Sequence, residues 1–202
     1  AAVPGLTLGL MAATEETTKG KFPMPVVLLS GFKGGRLKAM LSLGLLYAVG
    51  ILLVLAISAT VDGGKVAHMY LEGGGISNET AQDPEVQLAA MLGFALYLPL
   101  SLLFWHAPAL VHWHGISVGK SLFFSLVACL RNFWAFALYS LAWMGSLVVV
   151  GMVVALVTTL VLGPEAVSTI MFPVLMLMAA MFFTSLYFSF RDCFEDPRVE
   201  NA

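Results

Sequence analysis

Two groups of residues have the types and spacing that chemistry would need. Gly115-Ile116-Ser117-Val118-Gly119-Lys120-Ser121 carries the glycines and the Lys-Ser pair of a phosphate-binding loop. In such a loop backbone N–H groups cradle phosphate and the lysine reaches it. Three residues separate the glycines here where that loop has four, and the string follows an apolar helix instead of a β-strand. It reads as a turn at a membrane interface whose Lys120 meets anionic headgroups. His106, His112 and His114 form the second group. Imidazoles ligate haem, pigments and transition metals. On one continuous helix His106 would lie about 120° from His112 and 80° from His114. Pro108 interrupts that helix, and the remaining histidine, His68, sits in a distant loop, so no facing histidine is offered for a second axial ligand. The three read first as interfacial histidines beside Trp105 and Trp113, and as weak cofactor candidates second. No cofactor and no metal is expected.

Two softer sets complete the inventory. Met171, Met178 and Met181 fall within about 80° of one another on a helix, which would suit Cu(I), but thioethers also fill apolar gaps. Cys129 and Cys193 read as small apolar or interfacial side chains, since both fall on the side assigned below to a reducing compartment.

The elements that must position these residues are set by composition. Of 202 residues, 59% are hydrophobic and 11% charged, against about 25% charged in ordinary soluble domains. Too few charges remain to cover a soluble surface. Ten Lys+Arg against twelve Asp+Glu exclude a basic nucleic-acid binder. Four stretches are long and apolar enough to cross a hydrocarbon core of about 30 Å: residues 39–61, 86–106, 133–162 and 166–190. Uninterrupted apolar runs exclude the alternation of a barrel. The fold class is therefore all-α, a polytopic transmembrane helical bundle. No span holds an Asp, Glu, Lys or Arg in its body, which argues against an ion-coupled pump or an intramembrane hydrolase. Their serines and threonines have no base at depth to activate them.

Basic residues orient the spans. Lys19, Lys21, Lys33, Arg36, Lys38, Lys120, Arg131, Arg191 and Arg198 share one side if the spans alternate, and Lys65 stands alone on the other. That asymmetry places both ends of the chain in the cytoplasm. Trp105, Trp113, Trp134, Lys120 and Arg131 gather at the same boundary as interface anchors. Gly44, Gly50, Gly145 and Gly151 are positions where helices could approach closely. Pro99 and Pro173 are expected to kink their spans. The loop of residues 62–84, with its glycines and acids, reads as a hydrophilic hairpin; its Asn78-Glu79-Thr80 sequon is taken as chance.

PMPVVLLSGFKGGRLK before the first span and SVGKSLFFSLVACLRN before the third each read as an interfacial helix ending in a basic turn. The chain is thus expected to hold two parallel repeats of interfacial helix plus two spans, residues 24–106 and 107–190, the second interfacial helix over about 117–130. Residues 1–13 parallel the end of a span (VPGLTLG against APALVHWHG), and residues 191–202 form a polar cytoplasmic tail. On this pattern the chain is a fragment of a six-span protein.

The strings PGLTLGLMAATEETTKGKFPMPVVLLSGFK, FWHAPALVHWHG and KSLFFSLVACLRNFWAFALYSLAW resemble an uncharacterised family of proteobacterial inner-membrane proteins with a WxAPALVxWHG motif. More distantly they are similar to YciC-like and glycerophosphodiesterase membrane-domain proteins. The resemblance implies a bacterial inner membrane, a further amphipathic helix and two spans upstream, and no reaction. The function expected is that of a non-enzymatic accessory or assembly subunit, packing against membrane lipid, other membrane proteins or a second copy of itself. A transporter or channel without ion coupling is the first alternative. A haem- or pigment-binding subunit is the second.

Overall fold

The computed structural model describes residues 3–72, 80 and 82–195, and every regular element among them is helical. Asn78 and Glu79 of the sequon and Arg198 among the orienting basic residues lie outside the described residues, as does most of the expected tail. The α-helices are α1 (Val3–Thr18), α2 (Leu37–Asp62), α3 (Lys65–Glu72), α4 (Pro84–Phe104), α5 (Ala107–Trp113), α6 (Val118–Arg131), α7 (Phe133–Leu162) and α8 (Val167–Phe194). Four stretches are long and apolar enough to span a membrane: Leu37–Asp62, Pro84–Trp113, Phe133–Leu162 and Pro164–Phe194.

The chain divides into two compact units, one of Ala1–Gly5 with Gly31–Leu126 and the other of Leu6–Ser30 with Val127–Ala202. The boundary falls inside α6, so α5 and most of α6 group with α2 and α4. The sequence pattern places its division earlier, between residues 106 and 107.

In the first unit α2 packs along α4. Asp62, 1% exposed, ends α2 and caps α3: its carboxylate accepts from the Gly64 N–H at 2.9 Å and the Val66 N–H at 2.6 Å. Those are two of the donors that the start of a helix leaves unsatisfied. Gly63 turns the chain with φ of 65°, a conformation that glycine adopts without a Cβ penalty. Lys65 then pairs with Asp83 at 2.6 Å, and Asp83 caps α4 by accepting from the Glu85 N–H at 3.0 Å. Pro84 opens α4, where a missing N–H costs nothing. Beneath this turn Val66, Val86 and Ala89 form a small core with Val61 against it.

In the second unit α7 and α8 run antiparallel through the tight connection at Gly163-Pro164. Tyr139 of α7 is hydrogen-bonded to Ser185 of α8 at 2.5 Å, and Ser185 donates to the Phe182 carbonyl. Tyr139, Trp143 and Phe182 cluster around this contact, Trp143 edge-to-face with both of the others and its centroid 5.6 Å from that of Phe182. Aromatic edges on aromatic faces hold the helices where lipid offers no hydrophobic drive.

The two expected interfacial segments differ in kind. Residues 118–131 form an amphipathic α-helix, but Pro25–Phe32 is a 3-10 helix. Pro23 and Pro25 remove donors at its start, and Gly31, Gly34 and Gly35 weaken its continuation. Its backbone also comes against α1: a Cβ on Gly9 would fall on the Leu28 carbonyl. Pro99 and Pro173 lie inside helices that continue past them.

Candidate functional site

The spanning stretch Pro84–Trp113 is interrupted at Trp105-His106, and the WxAPALVxWHG block begins at that break. Pro108 gives part of the reason. It lacks the N–H that would bond the Phe104 carbonyl and its ring crowds that carbonyl. Ser125 of α6 supplies the rest. Its hydroxyl donates to the Leu102 carbonyl at 2.8 Å and accepts from the His106 N–H at 2.9 Å. In a continuous helix these two backbone groups would bond each other, so the serine is inserted as one rung of the ladder, a recognised cause of kinks. Ser125, Ser121 and Cys129 are all buried at four-residue spacing along α6, and Phe123, Phe124 and Leu130 are exposed.

The segment after the break is short and closed. Ala107, Pro108, Ala109, Leu110 and Val111 are all buried. Arg36 donates from Nη1 to the Val111 carbonyl at 2.7 Å, satisfying one of the carbonyls at the end of α5. Gly115 ends the segment with φ of 66°, and a Cβ on it would lie 3.0 Å from the Arg36 guanidinium. Both its conformation and its neighbour call for glycine.

The histidines do not gather. His106 is fully buried at the break; His112 is half-buried, edge-on to Trp113 with centroids 5.7 Å apart, and His114 is exposed. Among the described residues no three His, Cys, Asp or Glu side chains come together as a metal site. The expected turn is only partly one: Gly115 and Ser117 are exposed in the link before α6, Gly119 and Lys120 are exposed in the first turn of α6 itself, and no strand precedes them among the described residues.

The expected packing glycines separate into two kinds. Gly44 is buried, and a Cβ on Gly50 would meet Leu100 Cδ1 at 2.5 Å, so α2 uses Gly50 to approach α4. Among the described residues, nothing lies within 4 Å of that position at Gly145 and Gly151 of α7. The anchors divide likewise: Trp134, Lys120 and Arg131 are exposed, whereas Trp105 and Trp113 are half-buried.

Three residues that organise the first unit are not distinguished by the sequence: Ser125, Arg36 as a helix-end donor, and Asp62 as a buried cap. The Ser121–Ser125–Cys129 spacing was the available signal for the first, being a small polar stripe on an otherwise apolar helix. Nothing in the sequence distinguishes Arg36 from the other basic residues near it. Asp62 is followed by Gly-Gly, which is a turn signal but not a burial signal.

No family model and no solved structure matches the chain. It is similar to a protein of Burkholderia thailandensis described as a probable inner membrane protein, with 36% identity over 199 residues, covering 95% of this chain and 73% of the relative. That match and the four apolar helices make this a multi-pass inner-membrane protein, and the chain belongs to the family of that Burkholderia protein.

Proposed function

We propose that the chain is a non-enzymatic accessory or assembly subunit, oriented with both of its ends in the cytoplasm, that works by packing against other membrane proteins. One observation carries this reading. α7 is 30 residues long and exposes large apolar side chains along its length, from Leu138 to Leu162, while Gly145 and Gly151 stand clear of every neighbour. Glycine costs a helix about 1 kcal/mol relative to alanine. In α2 the cost at Gly50 is offset by the approach of Leu100; in α7 no described residue of its own unit offsets it. A partner helix drawn close over Gly145 or Gly151 would do so, because membrane helices associate through close backbone approach. The nine basic residues on one side support the orientation.

The test is the size and protein content of the particle extracted from its native membrane in mild detergent, at native expression level. A large particle with defined companions that loses them on Gly145→Ile or Gly151→Ile supports the subunit reading. A protein that runs alone sinks it.

A solute facilitator is the second reading. The interruption at Trp105-His106 favours it, since transporters often bind at discontinuous helices. Solute entry into vesicles holding the purified chain, compared with empty vesicles, decides that reading.

A further inference from the structure

In the first unit α2 and α4 touch at Gly50 and Leu100 and again where Gly93 faces Ser58. The space between them is a cavity of roughly 530 Å³, within the range of about 300–1,000 Å³ usual for ligand sites. Ile51, Val54 and Leu55 of α2 line one side; Ala90, Gly93 and Phe94 of α4 line the other. Val66 of α3 lines it at the end away from Gly50.

Two hydroxyls stand in this apolar wall. Tyr97 lines it near Tyr47. Ser58 is 1% exposed, and its Oγ has no hydrogen-bond partner among the described residues. Most serines in membrane helices bond a carbonyl of their own helix, as Ser42 and Ser146 do here. Opposite Ser58 is Gly93, where a Cβ would lie 3.8 Å from the Ser58 Cβ and 3.9 Å from its Oγ. A glycine there leaves the serine room to turn its hydroxyl toward the cavity.

We propose that this cavity holds one acyl chain of a membrane lipid, with the chain's ester carbonyl accepting a hydrogen bond from Ser58. Depth supports the assignment. Ser58 is four residues, or about 6 Å, from the end of α2. Asp62 and the Lys65–Asp83 ion pair mark the polar boundary there. Lipid ester groups occupy the zone between hydrocarbon core and headgroups, some 5–8 Å deep on each side. From Ser58 the cavity runs about 12 Å along α2 to Gly50, into the hydrocarbon. Charge supports it too: apart from the Tyr97 phenol the lining holds no ionisable group. A carboxylate or ammonium would be desolvated without a counter-charge, whereas an ester carbonyl needs one donor.

The test uses the full chain in vesicles of phosphatidylcholine doped with a diazirine-bearing phosphatidylcholine, either ester-linked or ether-linked, with labelled peptides mapped by mass spectrometry. Peptides of α7 report unspecific lipid contact. The ester lipid is expected to label residues 51–58 and 89–97 about threefold to tenfold more than the ether lipid does, as one hydrogen bond would give. Ser58→Ala should remove that difference. Ala90→Leu and Gly93→Leu, which fill the cavity, should bring labelling there down to the α7 background. Melting temperatures of the two filling variants close to that of the parent chain exclude misfolding as the cause. Equal labelling by ester and ether lipids, a preference that survives Ser58→Ala, or labelling that survives both filling variants would each overturn the proposal.

Discussion

Ser125 shows how much one side chain decides at the residue scale. Its hydroxyl satisfies both a buried carbonyl and a buried N–H, so Ser125→Ala leaves two backbone groups to find each other or remain unpaired. An unsatisfied buried group costs about 1–3 kcal/mol. Ser125→Ala is therefore expected to lower stability by about 1–2 kcal/mol, read as a lower melting temperature in detergent. An unchanged melting temperature would mean that Pro108 alone sets the break. Cys129 offers a second test. Burial pushes its thiol up to about 12, with nearby Cys193 adding to the shift. A thiol held so far above the ordinary value of about 8.5 offers almost no thiolate at neutral pH. Maleimide at pH 7–8 is expected to modify Cys193, which is half-buried, well before Cys129. Labelling at Cys129 should appear only when the protein is unfolded. Comparable native rates at the two cysteines would contradict the buried position of α6's inner face.

Between elements, glycine matters according to what lies opposite it. A Cβ at Gly9 meets a backbone carbonyl, which cannot move without shifting the 3-10 segment; a Cβ at Gly50 meets the tip of Leu100, which can. Gly9→Ala is thus expected to destabilise the protein more than Gly50→Ala, the latter by about 1 kcal/mol. Gly145→Ala and Gly151→Ala should leave the isolated chain unchanged or slightly more stable, since alanine is the better helix former. Thermal melts of the four variants in one detergent give the order. At the other end of α2, the Lys65–Asp83 pair ties α3 to α4. The hydrogen bond from Lys65 holds the Asp83 carboxyl below its ordinary value, and the same bond raises Lys65. A depressed carboxyl contributes at pH values above its unfolded value near 3.9 and ceases to contribute as pH falls through its folded value. A raised lysine contributes below its unfolded value near 10.4 and is lost as pH rises through its folded one. The tie is complete between those limits. It is exposed, so its effect is local. Asp83→Asn keeps the helix cap but removes the charge, and should speed trypsin cleavage after Lys65 at neutral pH. An unchanged rate would mean the tie does not order α3.

At the scale of the whole molecule, an apolar surface this large cannot face water, and the four spans account for it. Among the described residues neither unit holds a charged side chain in the body of a span. What distinguishes the two units is how their helix pairs are joined. α2 and α4 meet at Gly50 and leave a cavity; α7 and α8 are fastened by Tyr139, Ser185 and the aromatic cluster. The proposed orientation puts residue 65 on the side opposite both ends. With Cys129 and Cys193 replaced by serine, Lys65→Cys in sealed inner-membrane vesicles of inverted orientation should resist a membrane-impermeant maleimide until detergent is added. Labelling before detergent would reverse the topology.

Composition and run length alone determined the all-helical class, the number of spans in this chain and their approximate ends, because a bilayer admits few solutions for an uninterrupted apolar segment. The positions of Pro108 and Gly115 also marked in advance where the second span would break and turn. Tertiary structure decided everything that depends on which residue faces which. Gly50 and Gly145 read alike in sequence, yet a Cβ on one would meet Leu100 and on the other would meet nothing within 4 Å among the described residues. His106, His112 and His114 are neighbours along the chain, but the break turns one inward and leaves another exposed. Ser125 and Leu102 are 23 residues apart, and their hydrogen bond exists only because α6 returns against the broken span. Local pattern fixes helices through interactions a few residues long; contacts between helices depend on side-chain shape across a gap that no single segment encodes.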